Sequence, residues 1–178
     1  LVGTDGDGQS DVFERNIIAG AQGNEVELLG AGVTENRVAG NFIGFGVDGT
    51  TLVPNGDRGV KIEAGASGNF IGTNSDGQGD ASEGNVIGGM TQMGVRITAS
   101  NGNTVAGNLI GTDHTGLVSA PNATGVVIEN GASGNIIGSD GDGQSDSAER
   151  NVISGNAGEG VALRSDSNIV AGNYIGVG

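Results

Sequence analysis

The sequence predicts an all-β fold, a parallel solenoid of about five to six coils with three short strands in each, on three observations. The first is a phrase of apolar residue, any residue, apolar residue that occurs five times: Val26-Glu27-Leu28, Val60-Lys61-Ile62, Val95-Arg96-Ile97, Val126-Val127-Ile128 and Val161-Ala162-Leu163, four of them opened by glycine. The second is its spacing of 34, 35, 31 and 35 residues, a period at which units bury their apolar faces by stacking on neighbours. The third is composition: 38 glycines among 178 residues, no Trp, no Cys and 3% aromatic residues. Such a chain has many turns and a core built from Val, Ile and Leu.

The first strand of each coil is the phrase itself. Two-residue alternation sends Val60 and Ile62 inward and Lys61 outward, with the equivalents of the next coil stacked about 4.8 Å away. The outward column then reads Glu27, Lys61, Arg96, Val127 and Ala162, in which Glu27 and Lys61 are expected to form a weak ladder pair. The second and third strands follow. In 36–44, 103–111 and 168–176 they nearly touch at a Gly-Asn corner. In 69–72 and 135–138 they are split by a loop, after which 85–89 and 151–155 resume the path. Split and unsplit coils alternate, so the better repeat is a double one, 69 residues from Val26 to Val95 and 66 from Val60 to Val126. Gly and Asn at the corners suit a backbone that needs positive φ, and Asn41, Asn108 and Asn173 are expected to stack as hydrogen-bonded ladders. Helix is disfavoured throughout.

The loop of the split coils is acidic and occurs three times, as DGDGQSD (5–11), NSDGQGD (74–80) and DGDGQSD (140–146). The spacing D-x-D-G-x-x-D resembles loops of thrombospondin type 3 repeats. Clustered carboxylates on a glycine-flexible backbone are the ligands a hard Ca²⁺ ion takes, so the candidate metal ligands are Asp5, Asp7, Asp11, Asp76, Asp80, Asp140, Asp142 and Asp146. The bland reading of the same runs is a set of solvated turns. Asn74 replaces the first Asp in the middle copy, which should bind most weakly. The loops are expected along one edge about 10 Å apart, where their charges repel unless cations intervene. An EF-hand is a poor match, because Ser10, Gly79 and Ser145 follow Gln where the turn glycine should follow an Asp or Asn, and no Glu stands twelfth.

The phrases GVxI, NxIGT, RNVISGN and GNxIGT, in this order, resemble the parallel β-helix repeats of large secreted bacterial proteins of the pectate-lyase-like superfamily. The resemblance covers nearly the whole chain and implies a right-handed, three-faced β-helix in an extracellular or cell-surface protein. It leaves activity open, since that superfamily includes lyases, hydrolases, epimerases, tailspikes and inert stalks. Two functions therefore stand as expectations. One is a non-enzymatic structural segment, a stalk, adhesin or filament subunit that meets a carbohydrate or cell-surface ligand. The other is a carbohydrate-active lyase, hydrolase or epimerase, which needs grouped carboxylates or a carboxylate set with a base; the outward column shows no such group. A calcium β-roll needs GGxGxDxUx nonapeptides, and none occurs.

A formal net charge of −14 opposes nucleic acid and anionic lipid as partners. No apolar run approaches the roughly 20 residues of a membrane span. Residues 1–178 read as a single β-helix segment, a window of a longer repeat protein, whose open strand edges invite end-to-end self-association into filaments. The single histidine, His114, is expected to be solvated in its loop, and Tyr174 to pack in the column of Phe42 and Leu109. GNAGEG (155–160) is a turn rather than a dinucleotide loop, and Asn122-Ala123-Thr124 is a glycosylation sequon expected in a surface loop.

Overall fold

The computed structural model describes residues 1–176. It is a parallel β-solenoid with three faces, each a sheet whose strands come from successive coils. Sheet I holds Val2–Gly3, Arg37–Ala39, Phe70–Gly72, Thr104–Ala106, Ile136–Gly138 and Ile169–Ala171. Sheet II holds Ile17–Ile18, Phe42–Ile43, Val86–Ile87, Leu109–Ile110, Val152–Ile153 and Tyr174–Ile175. Sheet III, with the longer strands, holds Asn24–Leu29, Arg58–Glu63, Met93–Thr98, Thr124–Glu129 and Val161–Leu163. The chain runs from sheet III to I to II and back. Among the described residues no helix is long and apolar enough to cross a membrane.

The register is the one the period imposes. Val26, Val60, Val95, Val126 and Val161 pair in sequence, and so does the outward column Glu27, Lys61, Arg96, Val127, Ala162. Inward residues of all three sheets make one core, including Val38, Ile71, Val105 and Ile137 from sheet I and Ile43, Ile87, Ile110 and Ile153 from sheet II. All eight are fully buried. The glycine that opens the sheet III phrase has a packing reason: a Cβ on Gly94 would lie 2.7 Å from Ile110 Cγ2 and 2.8 Å from the Gly125 carbonyl oxygen. At the turn from sheet III to sheet I, Val33, Ala66 and Ala132 enter the same core. Ser100 takes that place in the coil between the last two, fully buried, and its hydroxyl has no partner among the described residues.

Gly and Asn divide the corner work between them. Gly40, Gly107 and Gly172 take positive φ of 71°, 75° and 72°, whereas the asparagines that follow them are not in that region. They are ladder residues instead. Asn16, Asn41, Asn85, Asn108, Asn151 and Asn173 are linked Nδ2 to Oδ1 from coil to coil, so the ladder also runs through Asn85 and Asn151 of the split coils. A second ladder joins Asn36, Asn69, Asn103, Asn135 and Asn168. Each rung also accepts a backbone N–H, as Asn108 Oδ1 does from Asn85 at 3.0 Å, which satisfies corner donors that no strand reaches.

Two expectations are corrected here. Short helical turns do occur, at Asp11–Glu14 and Asp80–Glu83; each is a single turn closed by a bond such as Phe13 N–H to Ser10 O at 2.7 Å, so it needs no helical propensity beyond one hydrogen bond. The sequon is not on the surface. Asn122 is fully buried, accepting from Met90 N–H and donating to Ile87 O and Asn156 Oδ1, which withholds its amide from glycosylation in the folded stack.

Candidate functional site

The three acidic loops leave the solenoid between sheets I and II and share one construction. A Thr or Ser opens each loop, and its hydroxyl donates to the last Asp: Thr4 to Asp11 at 3.0 Å, Thr73 to Asp80 at 3.2 Å and Ser139 to Asp146 at 3.1 Å. The Asp side chains fold the backbone by accepting N–H groups two residues on, as Asp5 does from Asp7 and Asp7 from Gln9. A Glu nine residues after the first loop position then closes the base. Glu14, Glu83 and Glu149 accept the backbone N–H of Asp5, Asn74 and Asp140 at 3.1, 3.0 and 3.1 Å. Glu83 is fully buried and ion-paired to Arg37, and Glu149, almost fully buried, accepts from the Ser75 hydroxyl at 2.7 Å. The sequence reading left these glutamates out, although their recurrence two positions before Asn16, Asn85 and Asn151 marks them.

In the outer loops the three predicted carboxylates converge. Ligand oxygens of Asp5, Asp7 and Asp11 lie within 4.8 Å of one another, and so do those of Asp140, Asp142 and Asp146. Among the described residues no Lys or Arg ion-pairs with any of these six. The middle loop differs: Asn74 Nδ2 donates to Asp76 Oδ2 at 2.9 Å, placing an amide donor where the outer loops have a carboxylate. That bond is the main cause holding the Asp76 carboxyl below its ordinary value. Asp80 holds the place of Asp11 and Asp146, bound to Thr73 and Ser145.

The loops do not stand apart as isolated charges. Ser82 of the middle loop donates to Asp11 Oδ2 of the first, and Ser145 of the third to Asp80 Oδ2 of the second, both at 2.5 Å. The Ser82 hydroxyl is the leading cause of the lowered pKa of Asp11. Mutual repulsion is thus offset partly by hydroxyl donors that bridge over the intervening coil, a contact no strand pairing predicts.

On the opposite side of sheet II, residues 44–57 and 111–123 form hairpin-like loops, pinned by the bridges Phe45 to Leu52 and Thr112 to Ser119. The outer column of sheet II, Ile17, Phe42, Val86, Leu109, Val152 and Tyr174, therefore lies between two rows of loops. Tyr174 occupies the expected column, but about half exposed, with the Arg150 guanidinium 5.2 Å from its ring centre and Arg150 Nη1 donating to its hydroxyl at 2.7 Å. Arg15 repeats the motif over Phe42 at 4.1 Å. His114 is exposed, as expected, yet its ring also packs 6.0 Å from Phe42. A cleft of about 320 Å³ opens between these groups and the middle acidic loop.

On sheet III the outward charges neutralise one another. Lys61 reaches Glu27 at 3.2 Å and Glu63 at 2.5 Å, Arg96 Nε donates to Glu129 at 2.8 Å, and Arg164 meets Glu129 at 3.3 Å. Val127 points outward in this column and is nevertheless fully buried, on the face where Arg96, Glu129 and Arg164 are linked. No family model matches this chain, and neither a curated protein nor a solved structure matches it.

Proposed function

We propose that this chain is a structural, non-enzymatic segment of an extracellular or cell-surface protein, a rigid acidic rod serving as stalk, adhesin or filament subunit, whose outer Asp-Gly loops take up Ca²⁺. The observation that carries the reading is the convergence of three carboxylates within 4.8 Å in each of two loops, to none of which a Lys or Arg is ion-paired among the described residues. Carboxylates at such separations favour a hard cation with oxygen ligands. The paired charges of sheet III support the structural half, since carboxylates and cations held in ion pairs are not free as acid and base. The extracellular part of the reading is supported by the resemblance of the repeat phrases to the secreted bacterial β-helices of the pectate-lyase-like superfamily. Unpaired strand edges on a coil stack are where a further coil, or another copy, would add.

Calorimetry and thermal melting test this. A ligand held by the folded state alone adds RT ln(1 + [L]/Kd), about 2.7 kcal/mol at a hundred times Kd. Millimolar Ca²⁺ is expected to raise the melting temperature, and Mg²⁺ less, because Mg²⁺ demands a tighter octahedral shell. Asp7→Asn and Asp142→Asn are expected to remove the heat of binding together with the shift. Unchanged melting in excess chelator with no heat of binding would leave the loops as solvated turns. Release of unsaturated or reducing ends from acidic glycans by this chain would favour the carbohydrate-active reading instead.

A further inference from the structure

The chain has 21 acidic residues against seven Lys and Arg, and ion pairs engage Arg37, Arg58, Lys61, Arg96 and Arg164. Arg15 and Arg150 have no carboxylate partner among the described residues. Each precedes a ladder asparagine and lies over an aromatic ring of the next coil, Phe42 and Tyr174. The middle acidic loop has Gly84 at this position, and the ring's place in the next coil is taken by Leu109. Neither a guanidinium nor a ring fills that level of the column, and the 320 Å³ cleft occupies it, floored by Val86 and Leu109 and walled by Arg15, Phe42, Ser82 and His114.

The walls are fixed. Arg15 Nε donates to Gly40 O at 2.8 Å, while its Nη1 and Nη2 have no partner among the described residues. Gly49, at φ 64°, brings the first hairpin loop onto the Phe42 ring, where a Cβ would lie 2.5 Å from Phe42 Cε2. The Gly49 carbonyl accepts the His114 N–H at 3.1 Å, which holds the imidazole at the mouth.

We infer that this cleft binds a small aromatic monocarboxylate, its carboxylate on the Arg15 guanidinium and its ring laid over the Val86 and Leu109 side chains beside Phe42. The free edge of a guanidinium matches a carboxylate through two parallel N–H donors. The volume enters the range of small-molecule sites, so an inorganic anion fills only a fraction of it. The field of a chain at −14 opposes any anion, but it repels a dianion such as hydrogen phosphate about twice as strongly as a monoanion, so among anions a monocarboxylate is opposed least.

The test is an NMR titration of the labelled protein with sodium benzoate at constant ionic strength, following the ring signals of Phe42 and His114. Saturable shifts of both are expected. Affinity should fall about tenfold in Arg15→Gln, the loss of one charge-assisted hydrogen-bonded contact, and stay unchanged in Arg150→Gln, whose arginine likewise has no carboxylate partner among the described residues but does not line this cleft. Leu109→Trp is a second, charge-neutral variant; Leu109 is half-buried in a column that already carries Phe42 and Tyr174, so a larger ring fits the fold and should block the cleft. Shifts that fail to saturate, full affinity in folded Arg15→Gln or Leu109→Trp, or an equal response to inorganic phosphate would each overturn the assignment.

Discussion

Replacing Asn108 with alanine tests the amide ladders at their best-buried rung. Asn108 is fully buried, and its Oδ1 accepts both the backbone N–H of Asn85 at 3.0 Å and the Asn85 side-chain amide at 2.9 Å. Asn85 is itself fully buried, so Asn108→Ala leaves two N–H groups without a partner, the backbone N–H and the side-chain N–H that does not bond Val38 O. Each unsatisfied buried donor costs about 1–3 kcal/mol, giving roughly 4 kcal/mol in all. For a chain of this size one kcal/mol moves the melting temperature by about 2–4 °C, so a loss of about 8–16 °C is expected in a circular-dichroism melt. Asn16→Ala is the control: Asn16 is exposed, its side chain donates only to Asn41, and about 0.5–1 kcal/mol is at stake. A loss below about 3 °C for Asn108→Ala, or one no larger than the control's, would refute the claim that the ladder satisfies the corners.

Ser100→Ala should do the reverse and stabilise the chain by about 1 kcal/mol, because a buried hydroxyl without a partner gives way to the alanine found at Ala66 and Ala132; denaturant midpoints at constant m-value would show it. Acid should weaken the sheet III ion pairs. The Arg96 guanidinium hydrogen bond is the first cause lowering the Glu129 pKa from its ordinary 4.5. The pair's contribution is therefore complete above about pH 4.5 and is lost as pH falls through the lower folded value. Glu129→Gln is expected to cost about 1 kcal/mol at pH 7, and the gap between its melting temperature and the parent's should close as pH falls below about 4.5.

Much of the fold was legible because a solenoid's long-range contacts repeat at one sequence interval. Once Val60 is placed above Val26, coils of equal path length leave little choice for Val95, Val126 and Val161. The three Asp-Gly loops were legible for the same reason. What escaped was whatever depends on loops folding back or on one copy differing from the others. Glu83 and Glu149 lie in segments without apolar alternation, so nothing in the local pattern marks them as buried. The Ser82 to Asp11 and Ser145 to Asp80 bonds span coils that share no strand pairing. Gly84 stands where Arg15 and Arg150 stand in the other loops, which the sequence shows; that a cleft opens there depends on which side chains of neighbouring coils surround the position. Asn122 misled because a three-residue sequon carries no information about burial.

The ladders also have a direction. Every link of both runs the same way, the Nδ2 of one asparagine to the Oδ1 of the next in chain order, at 2.8 to 3.1 Å. Aligned amides add their dipoles as peptide groups do in a helix, so the two files of side chains polarise the solenoid along its axis. One terminal layer turns amide oxygens outward and the opposite layer turns N–H groups outward. A further coil at either end must answer with the complementary group, which makes head-to-tail addition chemically distinct from any pairing of like ends.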